Sequence, residues 1–328
     1  QTFRCCCGHR CHHGAAPEER SRATRAGRIE DRYWRVGQPG RQRALPITLN
    51  QTIMPEDNQP RLDPIGVFDS GIGGLTVVAA LQDLLPSETI FYIGDTARVP
   101  YGGKSRKTVE RYSIEIGGLL LAEQAKILVV ACNTASALAV PRMQDIFKVP
   151  VQGVVAPGAA AAVKATRSKR IGVIGTRATI ASGAYEHAIT TKDREALVCS
   201  EACPLLVPLI EEGMFDDPVT DQVLDRYLAP LLDQGIDTLV LGCTHYPLLR
   251  EAIARAAGPG VTLVDSARNC ALAVRDLLAS HDIAAPPERL GRLHVALTDS
   301  TEGFLRTAEK ALDLQIGEVE LRAVQIGD

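Results

Sequence analysis

Two segments place a cysteine directly after an apolar run and polar residues directly after the cysteine. They are Ile127-Leu128-Val129-Val130-Ala131-Cys132-Asn133-Thr134 and Thr238-Leu239-Val240-Leu241-Gly242-Cys243-Thr244-His245. One cysteine in such a setting is commonly a small buried apolar residue; two in matching settings point to a paired role. Thiols on opposite faces of one carbon suit racemisation, in which a proton leaves one face of an α-carbon and another arrives on the opposite face. Thiol pKa values near 8.5 fall further beside cations or helix N-termini, so a thiolate and a thiol are expected near neutral pH. The α-proton is far less acidic than a thiol, so the site must stabilise carbanion character and exclude water. Asp69 and His245 are candidates to support one thiol each, by hydrogen bonding or proton exchange. Each also has a plainer reading: Asp69, before Ser70-Gly71, as a turn or helix-capping residue, and His245 as a satisfied structural histidine. Cys199, Cys203 and Cys270 lack this context and read as structural.

The elements that must position these residues repeat. Ile65-Gly66-Val67-Phe68-Asp69-Ser70-Gly71 resembles Ile171-Gly172-Val173-Ile174-Gly175-Thr176-Arg177, and each is followed by one of the cysteine segments. The separation from strand start to cysteine is 67 residues in one half and 72 in the other. Apolar runs predict strands at Ile65–Phe68, Ile90–Ile93, Ile127–Ala131, Val151–Val155, Ile171–Ile174, Thr238–Leu241 and Val261–Val264. Amphipathic stretches predict helices at 74–84, 106–123, 134–146, 157–166, 178–189, 219–234, 247–257 and 267–279. Continuous Val/Ile/Leu runs between helices imply parallel strands buried on both faces. The expected fold is α/β: two similar domains related by a pseudo-twofold repeat, each a parallel sheet flanked by helices. Residues 64–155 with 268–328 form one domain and 156–267 the other. Ligands bind at the carboxyl ends of strands in open α/β sheets, which places the active site between the domains with the two thiols opposed.

Composition narrows the alternatives. Of 328 residues, 45% are hydrophobic and 23% charged, typical of a globular enzyme. No apolar run is long enough to span a bilayer, and a net charge of −3 argues against a nucleic-acid partner. The charge is uneven: residues 1–53 hold ten Arg, no Lys and four acidic residues, leaving about −9 on the rest. Residues 1–60 lack periodicity and read as a disordered extension, with Met54 as a candidate true start. Cys5, Cys6, Cys7, Cys11, His12 and His13 offer zinc-type ligands there, but the spacing fits no standard pattern. The remaining five cysteines do not form a disulfide pattern, which fits a reducing cytoplasm. Gly71-Ile72-Gly73-Gly74 fails as a dinucleotide fingerprint because Thr76 stands where glycine is required, and Gly103-Lys104-Ser105 fails as a phosphate loop because Arg98 does. Cys243 and His245 lack a second ligand pair for zinc, and no lysine has a pyridoxal-phosphate context. Neither cofactor nor metal is expected.

With these residues assembled, the sequence resembles the glutamate racemases. The matching stretches are IGVFDSGIGGLTV (65–77), YIGDTARVPYGGKS (92–105), ILVVACNTASA (127–137), GVVAPGA (153–159), IGVIGTRATI (171–180), ACPLLVPLIEEG (202–213) and LGCTHYPLL (241–249). The broader aspartate/glutamate racemase superfamily shares mainly the two cysteine motifs. The resemblance implies interconversion of L- and D-glutamate without a cofactor, supplying D-glutamate for bacterial peptidoglycan. Its partners would be the small-molecule substrate and a second copy in a homodimer, with no nucleic acid and no membrane. Cys132 and Cys243 would be the proton donor/acceptors, with Asp69, His245 and Glu211 (or the adjacent Glu212) as polar support. Asp69, Ser70, Tyr101, Gly102, Asn133, Thr134, Thr176, Thr179, Thr244 and His245 would hold the substrate. Three alternatives stay open: a racemase for another acidic amino acid such as aspartate, a noncatalytic two-lobed binding protein, and a hydrolase using one Cys with a His base.

Expression from Met54 is expected to leave turnover and melting temperature unchanged relative to the full chain. Activity restored by zinc only in the long form would contradict this.

Overall fold

The structure, a computed structural model, describes residues 62–299 and 319–324; the extension with its candidate zinc ligands lies outside the described residues. Ten strands run in chain order: β1 (Ile65–Asp69), β2 (Ile90–Gly94), β3 (Ile127–Val130), β4 (Val151–Gly153), β5 (Arg170–Gly175), β6 (Leu197–Ala202), β7 (Thr238–Gly242), β8 (Thr262–Asp265), β9 (Leu293–Leu297) and β10 (Val319–Leu321). They form two all-parallel sheets, ordered β10-β9-β2-β1-β3-β4 and β6-β5-β7-β8. Without β9 and β10, the first sheet has the strand order of the second, so the sequence repeat is also a repeat of topology.

Both faces of each sheet are covered, which is why these strands read as unbroken apolar runs. Ile65 and Val67 of β1 pack with Val129 beneath the helices Leu75–Leu84 and Ser266–Ser280. Phe68, Leu128 and Val130 face the other way, against the helix Arg106–Ala122. In the second sheet Ile174, Leu239 and Leu241 pack against the helix Pro218–Leu232. Ile171, Val173 and Val240 pack against Tyr185 and Ile189 of the helix Ala184–Lys192.

The chain crosses between the sheets twice. It leaves after β4 into the helix Val155–Ala165, which packs on β7 and β8, and returns after β8 into Ser266–Ser280. These two helices also pack on each other. Ser136 fixes the outward crossing: its hydroxyl donates to the Val130 carbonyl at 2.7 Å and accepts from the Val154 amide at 3.0 Å.

Several boundaries differ from expectation. The stretch 151–155 is strand only to Gly153, because Val155 already begins the crossing helix. The helix expected at 134–146 divides at Ala139, ahead of Pro141. The one at 178–189 divides at Gly183, whose φ of +65° is a left-handed conformation suited to glycine. Strands β6, β9 and β10 and the short helix Leu206–Glu211 were not expected.

A buried ion pair ties the amino ends of the first sheet: Lys126, before β3, meets Glu88, before β2, at 2.6 Å. Burial lowers the Lys126 pKa, against the opposing pull of Glu88. Glu88 also accepts from the Ala285 amide at 2.7 Å. Removing one partner of a buried pair strands the other, at about 3–5 kcal/mol. Glu88→Ala is therefore expected to lose that much stability in urea denaturation; a loss below about 1 kcal/mol, the scale of an exposed pair, would contradict it.

Candidate active site

The carboxyl ends of β3 and β7 place Cys132 and Cys243 on one shared cavity of about 250 Å³, one thiol from each sheet. Ser70, Asn133, Thr134, Thr244 and His245 line it with them. A larger cleft of about 570 Å³, bordered by Thr76, Leu248, Arg250 and Arg268, contains neither thiol. Glycines permit the sheets' loops to meet. A β-carbon on Gly73 would lie 2.3 Å from Thr244 Oγ1 and 2.6 Å from His245 Nδ1; one on Gly102 would lie 2.7 Å from Thr176 Cβ. The glycine-rich stretch that fails as a nucleotide motif thus has a packing reason.

Cys132 caps the helix Asn133–Leu138, accepting from the Ala135 amide at 3.5 Å, and its thiol donates to Ser70 Oγ at 3.6 Å. Burial, then the Asp69 charge, push its pKa up to about 12, despite the lowering effect of these two hydrogen bonds. At this thiol a six-residue helix does not offset burial beside a carboxylate. Asp69 fills the turn role considered for it. Its Oδ2 holds the turn by accepting from the Gly71 and Gly74 amides at 3.1 and 2.9 Å, while its buried Oδ1 has no partner among the described residues.

Cys243 has a different neighbour. His245 Nδ1 lies 3.9 Å from its sulfur, and His245 Nε2 lies 3.4 Å from Glu211 Oε1, an ion-pair contact without hydrogen-bond alignment. Burial alone would lower the His245 pKa. The interactions with Cys243 and Glu211, with the Asp69 charge added, outweigh it and raise the value to about 10. Glu211 lines the cavity and Glu212 does not.

The remaining expected residues fall into two layers. Tyr101, Gly102, Asn133, Thr134, Thr176 and Thr244 border the cavity; Asp69 and Thr179 stand behind it. Thr134, Thr176 and Thr179 join their hydroxyls in a triangle with sides of 2.9, 3.1 and 2.9 Å. The Tyr101 hydroxyl donates to buried Asp95, which also accepts from Arg98 and Thr298, so this phenol is held away from a ligand. The Asn133 Nδ2 is a buried donor without a partner among the described residues, so an oxygen ligand would satisfy it. Cys203, read from sequence as structural, lines the cavity, and so does Arg177. Only the position of Cys203 within ACPLLVPLIEEG hinted at this, because no apolar strand precedes it. Among the described residues no cluster of His, Cys, Asp and Glu could hold a metal, and no helix is long and apolar enough to cross a membrane.

The sequence matches the model of the Asp/Glu/Hydantoin racemase family over residues 75–274. The glutamate racemase of Geobacter metallireducens is 48% identical over 255 residues, covering 78% of this chain and 94% of that protein. Among solved structures, a glutamate racemase isoform from Bacillus anthracis aligns with a TM-score of 0.76 at 40% identity, over 80% of this chain and 98% of that one. The glutamate racemase from Thermus thermophilus, in complex with beta-chloro-D-alanine, aligns with a TM-score of 0.73 at 43% identity, over 81% and 99%.

The raised His245 pKa has a consequence for stability. Between about pH 6.5, where an unfolded histidine titrates, and about 10 the folded chain holds a proton that the unfolded chain has released. Stability from this group is therefore complete below pH 6.5 and falls as pH rises toward 10. Cys132 adds a further fall above about pH 9, where an unfolded thiol ionises and the folded one does not. Urea denaturation from pH 6 to 9 is expected to show this decline in the parent protein and a flatter profile in His245→Asn. Equal slopes in the two proteins would show that His245 is not the titrating group.

Proposed function

The chain belongs to the Asp/Glu/Hydantoin racemase family, and on that footing we propose that it interconverts L- and D-glutamate by two-thiol proton transfer at the α-carbon. The observation that carries the proposal is the pair Cys132 and Cys243, reaching one cavity from equivalent strands of repeated sheets. The two lobes of the proposal are residues 64–155 with 268–328 and residues 156–267.

The unequal surroundings of the thiols suggest how a cycle starts. Cys132, buried beside Asp69, holds its proton and is the resting acid. Protonated His245, 3.9 Å from the Cys243 sulfur, places a cation at the other thiol. With L-glutamate, Cys243 removes the α-proton and Cys132 delivers its own to the opposite face. The product is D-glutamate, with the thiol proton now on Cys243 and the thiolate at Cys132. In reverse, a Cys132 thiolate next to the Asp69 carboxylate is a strong base toward D-glutamate. Hydroxyls of Ser70, Thr134, Thr176 and Thr244 and the Asn133 amide would hold the substrate's carboxylates and amine, the fit expected of charge-assisted bonds. Burial of both thiols excludes the water that would quench carbanion character.

Glutamate is proposed over aspartate because relatives named glutamate racemase match at close to half identity over most of this chain. The product would serve bacterial peptidoglycan synthesis. Free thiols at the site fit a reducing cytoplasm.

A polarimetric assay without added cofactor is expected to show turnover of both glutamate enantiomers and weaker kcat/KM for aspartate; equal or better aspartate turnover would overturn the specificity. Cys132→Ser and Cys243→Ser should each nearly abolish racemisation. Each should still eliminate from an analogue with a good β-leaving group: the surviving thiolate takes the α-proton, the α–β double bond forms, and the group leaves with its electron pair. Cys132→Ser should act on the L-analogue only, and Cys243→Ser on the D-analogue only. Near-normal racemisation in either variant, or loss of elimination from both enantiomers in a folded one, would refute the two-thiol scheme. Asp69→Asn and His245→Asn should be milder. Enantiomers have equal free energy in water, so kcat/KM must stay equal in both directions and any directional bias will appear in kcat.

A further inference from the structure

Tyr185 was not singled out by the sequence, yet it touches the residues adjoining both thiols. It lies on the helix Ala184–Lys192, packed on the second sheet, and is almost wholly buried. Its hydroxyl donates to Asn133 Oδ1 at 2.6 Å, beside Cys132. Its ring approaches Gly242, beside Cys243, closely enough that a β-carbon there would lie 3.3 Å from Cε2. Ser266, at the return crossing, lies 2.9 Å from the Tyr185 hydroxyl and 3.4 Å from Asn133 Oδ1. Gly158 leaves room for both; a β-carbon there would be 3.3 Å from Ser266 Oγ and 3.4 Å from the phenol oxygen.

A phenol has one proton to give. Donating it to Asn133 leaves the Tyr185 oxygen to accept, and Ser266 supplies the proton. Burial raises the Tyr185 pKa, with the Cys243 charge adding to it against the lowering bond from Ser266, so the phenol remains a donor across the working pH range. The Tyr185 hydroxyl is therefore the donor held on Oδ1, backed by Ser266, and this bond orients the amide. The other end, Nδ2, has no partner among the described residues although Asn133 lines the cavity.

We propose that Tyr185, assisted by Ser266, is a positioning residue that locks the Asn133 side-chain amide with its NH2 group committed to an oxygen of the substrate. This rests on the reading of Asn133 as a substrate-holding residue. Tyr185 reaches Asn133 from the opposite sheet, so the amide is set only when both sheets are in place around the cavity.

The test is a double-mutant cycle on the full chain, with kcat and KM measured for both glutamate enantiomers. Tyr185→Phe removes one hydroxyl and keeps the ring. It is expected to raise KM about three- to tenfold, the scale of one hydrogen bond, with kcat within about twofold. Ser266→Ala should do the same to a smaller extent. In an Asn133→Ala background, Tyr185→Phe should add nothing, because the group it positions is gone. An unchanged KM in folded Tyr185→Phe, or a KM rise that persists undiminished in the Asn133→Ala background, overturns the proposal. If Asn133→Ala raises KM while Tyr185→Phe is silent, only the positioning role fails. If Asn133→Ala leaves KM unchanged, the substrate-holding role fails, and the positioning role with it. Should Tyr185→Phe not fold, Ser266→Ala closes the same cycle. Should Asn133→Ala turn over too slowly, calorimetric binding of D-glutamate replaces KM.

Discussion

Contact between the two sheets' loops depends on the absence of side chains at Gly73 and Gly102. At Gly73 even a methyl group would overlap Thr244 and His245, and at Gly102 it would overlap Thr176. A parallel sheet presents its carboxyl ends on one side only, so a single sheet cannot surround a small molecule with functional groups. Two sheets can, provided their loops approach within van der Waals distance and leave little space for water. The cavity therefore rests on backbone meeting side chain at two points, and the buried hydroxyls and amide between them follow from that closeness.

The duplication does not make the two halves electrostatically alike. Asp69 ends β1, whereas Gly175 occupies the matching place at the end of β5. An anion therefore lies near Cys132, while the equivalent position of the other half carries no side chain. His245 follows Cys243 by two residues, whereas Thr134 follows Cys132 by two. Each sulfur thus has a neighbour of opposite charge type, and the same cysteine at the same strand end meets a different potential. One fold, used twice, gives its two thiols different electrostatic surroundings through two changes of residue.

The sequence made the sheets legible where strands are buried on both faces, as in β1, β3, β5 and β7, because their apolar runs are continuous. It did not reveal β6, an edge strand with half-buried Cys199 and exposed Ser200, whose alternation is too weak to signal a strand. Nor did it reveal β10, three residues long, whose pairing depends on β9. The cysteine pair was legible because repetition marks it. Cys203 was not, because no matching cysteine exists in the first half. Tyr185 was hidden for a different reason: on a helix, a buried tyrosine looks like ordinary core until the partner of its hydroxyl is known. How firmly burial and the Asp69 charge hold the Cys132 proton was not legible either, because both depend on the fold.

The two chain crossings, after β4 and after β8, run into helices that pack side by side, with Ser266 of one close to Gly158 of the other. Two lobes joined by one strand of chain could swivel about it in any direction. Joined by two adjacent straps, they keep one easy motion, rotation about the line through both, since twisting or sliding would stretch one strap against the other. Such a rotation would widen or narrow the gap between the strand ends like a book about its spine. Ser266 sits on that line, where such a rotation would displace atoms least, whereas Val99, Arg177 and Val207 border the cavity itself.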